Sequence, residues 1–186
     1  MRIVGISGSL RRDSYNSALL LAAARVLPPG AELVEYRGLK ALPPFCEDDE
    51  AAPCEAVVAF RDAISSADAL LIATPEYNSS IPGALKNALD WASRPRSEAA
   101  LRGKPAAVVG ASTGTFGAIW GQAETRKALS ASGAQVLDRE LAVANAATAF
   151  TAAGRLTDRG LEAALRRLLI DLWTLVDGCD ELATAA

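Results

Sequence analysis

The sequence predicts an α/β fold, a five-stranded parallel sheet with helices on both faces, and two observations carry that prediction. Short apolar runs of strand length alternate with amphipathic helical runs along the chain, and strands joined by crossover helices pair in parallel. Nothing interrupts this alternation: there is no internal repeat, low-complexity segment or linker. The 186 residues therefore read as a single domain over 1–186, with about 178–186 as a C-terminal tail.

The first strand is the apolar opening around Ile3, Val4 and Ile6. Residues 15–27 are rich in Ala and Leu and end at Pro28-Pro29-Gly30, as a helix stopped by breakers does. Ala31 to Tyr36 alternates apolar and polar residues, the pattern of a half-buried strand. Residues 37–53 hold Pro43, Pro44, Pro53 and the acidic cluster Glu47 to Glu50, and read as a long, solvated surface loop. A short helix over 54–66 precedes a buried strand, Ala67 to Thr74.

From Ile81 the residues Ala84, Leu85, Ala88, Leu89 and Ala92 fall at helical spacing, with Pro82 in the first turn where its missing N–H costs nothing. Ala106 to Ala111 is the next buried strand, followed by a helix at about 118–132. Gln135 to Val143 reads as the last strand. Leu161, Ala164, Leu165, Leu168, Leu172 and Leu175 stripe a final helix, with Thr157 or Asp158 as its cap.

Composition narrows the chemistry. The net charge of −3, without a Lys/Arg-rich block, argues against a nucleic-acid surface and favours a flavin or nucleotide as the anionic partner. The N-terminus lacks a charged segment followed by an apolar one, and no apolar run approaches the roughly 20 residues of a membrane span. The chain therefore reads as cytoplasmic, without a membrane partner. Cys46, Cys54 and Cys179 show no C-x-x-C spacing, so neither a disulfide framework nor a zinc site is indicated. The absence of histidine removes Ser-His-Asp and Cys-His catalysis and most transition-metal sites. Chemistry must come from a cofactor, carboxylates, Lys, Tyr or Cys.

Three polar loops follow strands: residues 5–16, 75–83 and 112–117. In a doubly wound sheet all three lie at the C-terminal strand ends, beside the topological switch point. The first combines Ser7, Ser9, Ser14, Asn16, Arg11 and Arg12 with the start of a helix, whose unpaired N–H groups attract anions. Gly5 and Gly8 do not form G-x-G-x-x-G, and no G-x-x-x-x-G-K-[ST] run is present. The residues point to a phosphomonoester read by hydroxyls and Arg. The plain alternative is a structural turn, with Ser14 or Asn16 capping the helix.

Two motifs resemble those of the NADPH-dependent FMN reductase family: Gly8-Ser9-Leu10-Arg11-Arg12-Asp13-Ser14-Tyr15-Asn16, and Thr74-Pro75-Glu76-Tyr77-Asn78 continuing through Ser80-Ile81-Pro82-Gly83 to Trp91. The resemblance implies a flavodoxin-like sheet of order 2-1-3-4-5. It also implies that Ser9, Leu10, Arg11, Ser14, Tyr15 and Asn16 hold the FMN phosphate, with Asp13 turned away and Arg12 largely solvated. Pro75, Glu76, Tyr77, Asn78 and Ser79 then line the flavin ring, and Ser112 and Gly114 its pyrimidine side. Ser79 departs from relatives that carry an aromatic residue there.

By the same resemblance Trp91 is a packing residue, Trp120 belongs to the core or an interface, and Lys86, Asn87 and Asp90 serve contacts between subunits of a homodimer or homotetramer. The implied activity is hydride transfer from NADPH or NADH to FMN, then two electrons to quinone, azo, metal-oxyanion or flavin acceptors. No side chain is assigned a catalytic role and no metal is implied. Glu76 is expected to be exposed or paired with a surface cation rather than to act as a base. The alternative is a flavodoxin-like electron carrier without efficient NAD(P)H oxidation.

Overall fold

The computed structural model describes residues 1–184, with side chains through residue 178. Its elements are β1 (Arg2–Ser7), α1 (Tyr15–Arg25), β2 (Glu32–Tyr36), α2 (Glu55–Ser65), β3 (Ala69–Thr74), α3 (Gly83–Ala92), β4 (Pro105–Ala111), α4 (Ile119–Ala131), β5 (Gln135–Val136), β6 (Ala142–Val143) and α5 (Arg159–Thr184). The strands pair in parallel in the order β2-β1-β3-β4-β5, with β6 also on β4. This is the expected 2-1-3-4-5 sheet.

The last strand differs from the expectation. Gln135–Val143 is not continuous: β5 pairs with the start of β4, at Pro105 and Ala106, and β6 with its end, at Gly110 and Ala111. Between them Asp138, Arg139 and Glu140 are carried out to solvent. Arg139 pairs with Asp171 at 2.9 Å and Glu140 with Arg126 at 3.2 Å. Charged side chains find partners on the outer helices that the sheet could not provide, and the chain bulges to let them.

Two hydrophobic layers sandwich the sheet. Ile3, Ala69, Leu71, Ala107 and Val109 meet α1 and α5 through Leu19, Leu20, Leu165 and Leu168. Val4, Ile6, Leu70, Ile72, Ala106 and Val108 meet α2 and α3 through Val57, Phe60, Leu85 and Leu89. Successive strand residues thus face opposite layers, which is why β4 and, up to Thr74 at its end, β3 are apolar and wholly buried.

Residues 37–53 are less of a surface loop than their composition implies. Leu39 and Leu42 are buried in the second layer, and short 3-10 turns form at Leu39–Ala41 and Glu47–Asp49. The second motif secures this segment. Trp91 Nε1 and Asn87 Nδ2 both donate to the Pro43 carbonyl at 2.8 Å, and Asn87 Oδ1 accepts from Phe45 N at 2.7 Å. Phe45 packs edge-on against Trp91 with centroids 5.0 Å apart. Asn87 therefore serves its own chain, and Lys86 pairs with Asp90 one turn along α3 at 2.6 Å.

Asp158, of the two candidate caps, starts α5 by accepting from Gly160 N and Leu161 N. The backbone of α5 continues through much of the segment expected as a tail; residues 185 and 186, and the side chain of Cys179, lie outside the described residues. Cys46 and Cys54 are free and exposed. No described helix is long and apolar enough to cross a membrane.

Candidate functional site

The loops after β1, β3 and β4 meet at the C-terminal ends of the strands, and each is held by side chains from the others. In the first loop Ser14 caps α1, its hydroxyl accepting from Asn16 N at 3.1 Å and Ser17 N at 3.3 Å. Gly8 N donates to Ala73 O at 2.8 Å, which ties this loop to the end of β3. Asn16 is buried, and its amide makes two 3.0 Å bonds to the backbone of Ala111 at the end of β4. Its amide is engaged by the sheet rather than presented to the loop.

The backbone N–H groups of Leu10, Arg12 and Tyr15 donate to no acceptor among the described residues. Together with the positive end of α1 they form a donor cluster suited to an anion. Arg11 lies across this loop. One terminal nitrogen donates to Asp13 O at 2.6 Å, and the guanidinium carbon sits 4.8 Å from the centroid of the Tyr15 ring. The cation is positioned in advance and keeps its remaining N–H groups for a ligand.

In the second loop Tyr77 and Ser80 exchange two backbone hydrogen bonds of 3.1 Å. Asn78 and Ser79, between them, have φ of 52° and 58°. This is a tight turn of the type that demands left-handed backbone at both central positions, and it lifts both side chains into solvent. Tyr77 beside it is 51% exposed.

Glu76 takes a role that sequence reasoning did not foresee. Its Oε2 accepts from Trp120 N at 2.9 Å and Gly121 N at 3.1 Å, so it caps α4 from another loop. The residue at the cap position, Ala118, has no side chain able to do so and is left-handed at φ 65°. A carboxylate at a helix N-terminus answers both the unpaired N–H groups and the dipole. It needs no surface cation. Gly121 makes the contact possible: a Cβ there would lie 2.8 Å from Pro75 O.

The third loop is closed from behind. Buried Gln122 accepts from Leu141 N and donates to Gly117 O. Gly117, at φ 57°, has no room for a side chain, since a Cβ would sit 2.7 Å from the Ala142 carbonyl carbon. Ser112 Oγ accepts from Gly114 N at 3.2 Å, and Thr113 N is left without an acceptor among the described residues.

A cavity of about 250 Å³ lies where the loops converge, lined by Ser9, Arg11, Ser14, Tyr15, Asn16, Pro75, Glu76, Tyr77, Ala111, Ser112 and Thr113. Most of the expected site residues therefore share one cleft. Leu10 instead faces an adjoining cavity, and Asn78, Ser79 and Gly114 stand exposed outside the lining. Ala111 and Thr113 were not foreseen; they adjoin Ser112, and strand end plus loop could have indicated them. Trp120 is 44% exposed rather than core and meets Phe116 edge-on, centroids 4.9 Å apart. The cleft can hold a phosphate at one end, on Arg11 and free N–H groups, and a flat polar group between the second and third loops.

A doubly wound α/β protein with a phosphate-and-ring cleft at its topological switch point is a mononucleotide-binding fold of the flavodoxin kind. Residues 1–148 match the model of the NADPH-dependent FMN reductase family, and the chain belongs to that family. It is 44% identical to an NAD(P)H-dependent FMN reductase of Pseudomonas aeruginosa, over 93% of this chain and 95% of the relative. It is 43% identical to a 2-hydroxy-1,4-benzoquinone reductase of a Burkholderia species, over 68% of each. Among solved structures it resembles FerB, a flavoenzyme NAD(P)H:(acceptor) oxidoreductase of Paracoccus denitrificans, with a TM-score of 0.86, 33% identity, and 95% and 97% of the two chains covered. An FMN-dependent NAD(P)H oxidoreductase is the activity these findings support.

Proposed function

We propose that the cleft is the FMN site of a two-electron NAD(P)H reductase whose acceptors include quinones. The observation that carries this reading is the single cleft in which Ser9, Arg11, Ser14 and Tyr15, with its free N–H, at one end adjoin the second and third loops at the other. These residues fit the group. Ser9, Ser14, Arg11 and the N–H groups of the first loop would hold the 5′-phosphate. Pro75, Tyr77, Asn78 and Ser79 would border the ring, and Ser112, Thr113 and Gly114 its pyrimidine edge.

Bound FMN supplies the redox chemistry, taking hydride from reduced nicotinamide and passing two electrons onward. The chain's own contribution is positioning. Glu76 holds the second and third loops at a fixed spacing through α4, and Asn16 holds the first loop to the third through Ala111. The Thr113 N–H, free in this structure, would stabilise negative charge that builds at the pyrimidine edge. Ser79, small and exposed, leaves one side of the cleft open to a planar acceptor. We further propose a cytoplasmic homo-oligomer, with the exposed Phe116–Trp120 pair as part of the contact.

The test is the anaerobic visible spectrum of the protein loaded with FMN, before and after NADPH or NADH. Bleaching within seconds, followed by recovery on adding a benzoquinone, is expected. A bound flavin that neither nucleotide reduces would indicate an electron carrier, and no flavin binding would remove the reading altogether.

A further inference from the structure

Arg11, the cation of the cleft, is the first of three side chains in contact. Its guanidinium carbon lies 4.8 Å from the centroid of the Tyr15 ring, closer than Arg61 to Trp91 at 5.7 Å or Arg94 to Phe45 at 5.6 Å. The Tyr15 ring is in turn stacked with Phe150, the two planes 3° apart and the centroids at 6.4 Å, an offset parallel pair. The contacts run from Arg11 to Tyr15 to Phe150, beginning in the cleft and ending in the segment after β6.

That segment is tied down on several sides. Asn145 N and Ala146 N donate to Gly114 O and Ser112 O at 3.1 and 3.0 Å, which fastens it to the third loop. Phe150 pairs with Leu156 as an antiparallel bridge, and Thr151 N donates to Arg155 O at 2.8 Å. Ala146, Ala149 and Leu156 are buried in the first hydrophobic layer, and Tyr15 and Phe150 pack against it. Gly154, at φ 71°, brings the turn against α1, where a Cβ would lie 2.8 Å from Leu21 Cδ2. The plane of the Phe150 ring is thereby set by the core.

A ring stacked on a held ring has fewer orientations open to it, and so has the cation that lies on it. Arg11 also donates to the Asp13 carbonyl at 2.6 Å. An arginine free in water gives up its rotamer freedom when it meets a ligand. A guanidinium already laid on a ring and bonded to a carbonyl has less to give up, and its planar fork points one way. Phe150 lies beyond the residues 1–148 that match the family model, and no motif of the sequence pointed to it.

We propose that Phe150 is a positioning residue for the flavin phosphate: by stacking with Tyr15 it holds the Arg11 guanidinium where the 5′-phosphate meets it. The proposal rests on the FMN reading above. Phe150 does not line the cleft and acts through the Tyr15 ring. One segment then serves both ends of the cleft, its backbone holding the third loop and its ring the first.

The test compares FMN with riboflavin, which has the same ring system and ribityl chain but no phosphate. Both are titrated by fluorescence into the full-length protein freed of flavin, as wild type, Phe150→Leu, Phe150→Tyr, Arg11→Ala, and Arg11→Ala combined with Phe150→Leu. The wild type is expected to prefer FMN by about tenfold or more, the contribution of a charged hydrogen bond. Phe150→Leu keeps an apolar side chain against the core. It should weaken FMN binding by about threefold or more, the scale of an exposed cation–π contact, and leave riboflavin affinity unchanged. Phe150→Tyr restores the stack and should restore the preference. With Arg11 already removed, Phe150→Leu should change nothing further. Should Phe150→Leu fail to fold, Phe150→Met fills the gap without a ring and carries the same expectation.

Equal losses for FMN and riboflavin in the Leu variant would overturn the proposal by giving Phe150 a purely structural role. So would a wild-type preference that survives Phe150→Leu, a Tyr variant no better than the Leu variant, or losses from Arg11→Ala and Phe150→Leu that simply add. A wild type that binds the two flavins equally, or neither, would remove the phosphate site itself and the proposal with it.

Discussion

The two ends of the sheet carry cavities built in opposite ways. The larger, about 660 Å³, lies beside the N-terminal strand ends between the C-terminal ends of α3 and α4. There Lys86 and Arg94 are paired with carboxylates of the same chain, and Arg102 donates to the Arg96 carbonyl. The cleft at the C-terminal strand ends is less than half that size. Yet every non-glycine residue with positive φ among those described, Asn78, Ser79, Ala118 and Asn145, lies in the loops at that end. Left-handed backbone of this kind persists only where surrounding contacts enforce it, and it collects at ligand sites. Volume marks where helices fail to fill space; held strain and donors without acceptors mark where a ligand is expected.

That contrast can be broken by experiment. The largest effect is expected from Trp91→Ala on the structural side. Trp91 is fully buried and holds Pro43, so the variant should lose about 3–5 kcal/mol in urea unfolding. The flavin affinity of the folded fraction should be unchanged; a parallel loss of affinity would mean that the two ends are not independent.

Arg11→Ala should do the reverse. It should weaken FMN binding by at least about 1.5 kcal/mol, the contribution of a charged hydrogen bond, and leave the unfolding midpoint nearly where it was. Fluorescence titration with FMN checks it, and unaltered affinity would remove Arg11 from the site.

Glu76 separates capping from proton transfer. Glu76→Ala should lose about 1 kcal/mol of stability with its cap, and FMN affinity with the spacing of the loops. Glu76→Gln keeps an oxygen that can accept from Trp120 N and Gly121 N and should retain most turnover. A Gln variant as inactive as the Ala variant would indicate that the carboxylate itself is required.

The smallest effect concerns Lys104, at the start of β4, whose ammonium donates to the carbonyls of Ser65 and Ala67. Burial lowers its pKa from the ordinary 10.5, and Asp68 offsets part of that. The unfolded chain therefore binds this proton more tightly, so the cost of burying the charge is fully present below the folded pKa and disappears as pH rises towards 10.5. Against Lys104→Met, the wild type should gain stability across that alkaline window. Denaturant midpoints at neutral and alkaline pH check the sign.

Most of the architecture was legible because it rests on local pattern. The apolar runs of β1, β3 and β4, and the helices between them, announce a parallel sheet without reference to distant residues. What escaped depends on pairing across the chain. The break in the last strand follows from Arg139 meeting Asp171 and Arg126 meeting Glu140, which no periodicity of residues 135–143 reveals. The anchoring of residues 37–53 depends on Asn87 and Trp91, far along the sequence.

The site divides in the same way. The first and second motifs named residues that the fold does bring to one cleft. The function of Glu76 as a cap was hidden because its partners belong to a helix more than forty residues on. Asn16 looked like a ligand by type, but a buried amide beside an open strand end bonds to that strand.

The interrupted last strand has a consequence for the molecule in a crowded solution. An unpaired strand edge is a template on which another chain can add itself. On this side of the sheet β5 and β6 are only two residues each, and the charged bulge of Asp138, Arg139 and Glu140 stands between them. No incoming strand could run the length of β4 or continue past its partners in register. The irregularity that the sequence pattern missed guards this edge against aggregation.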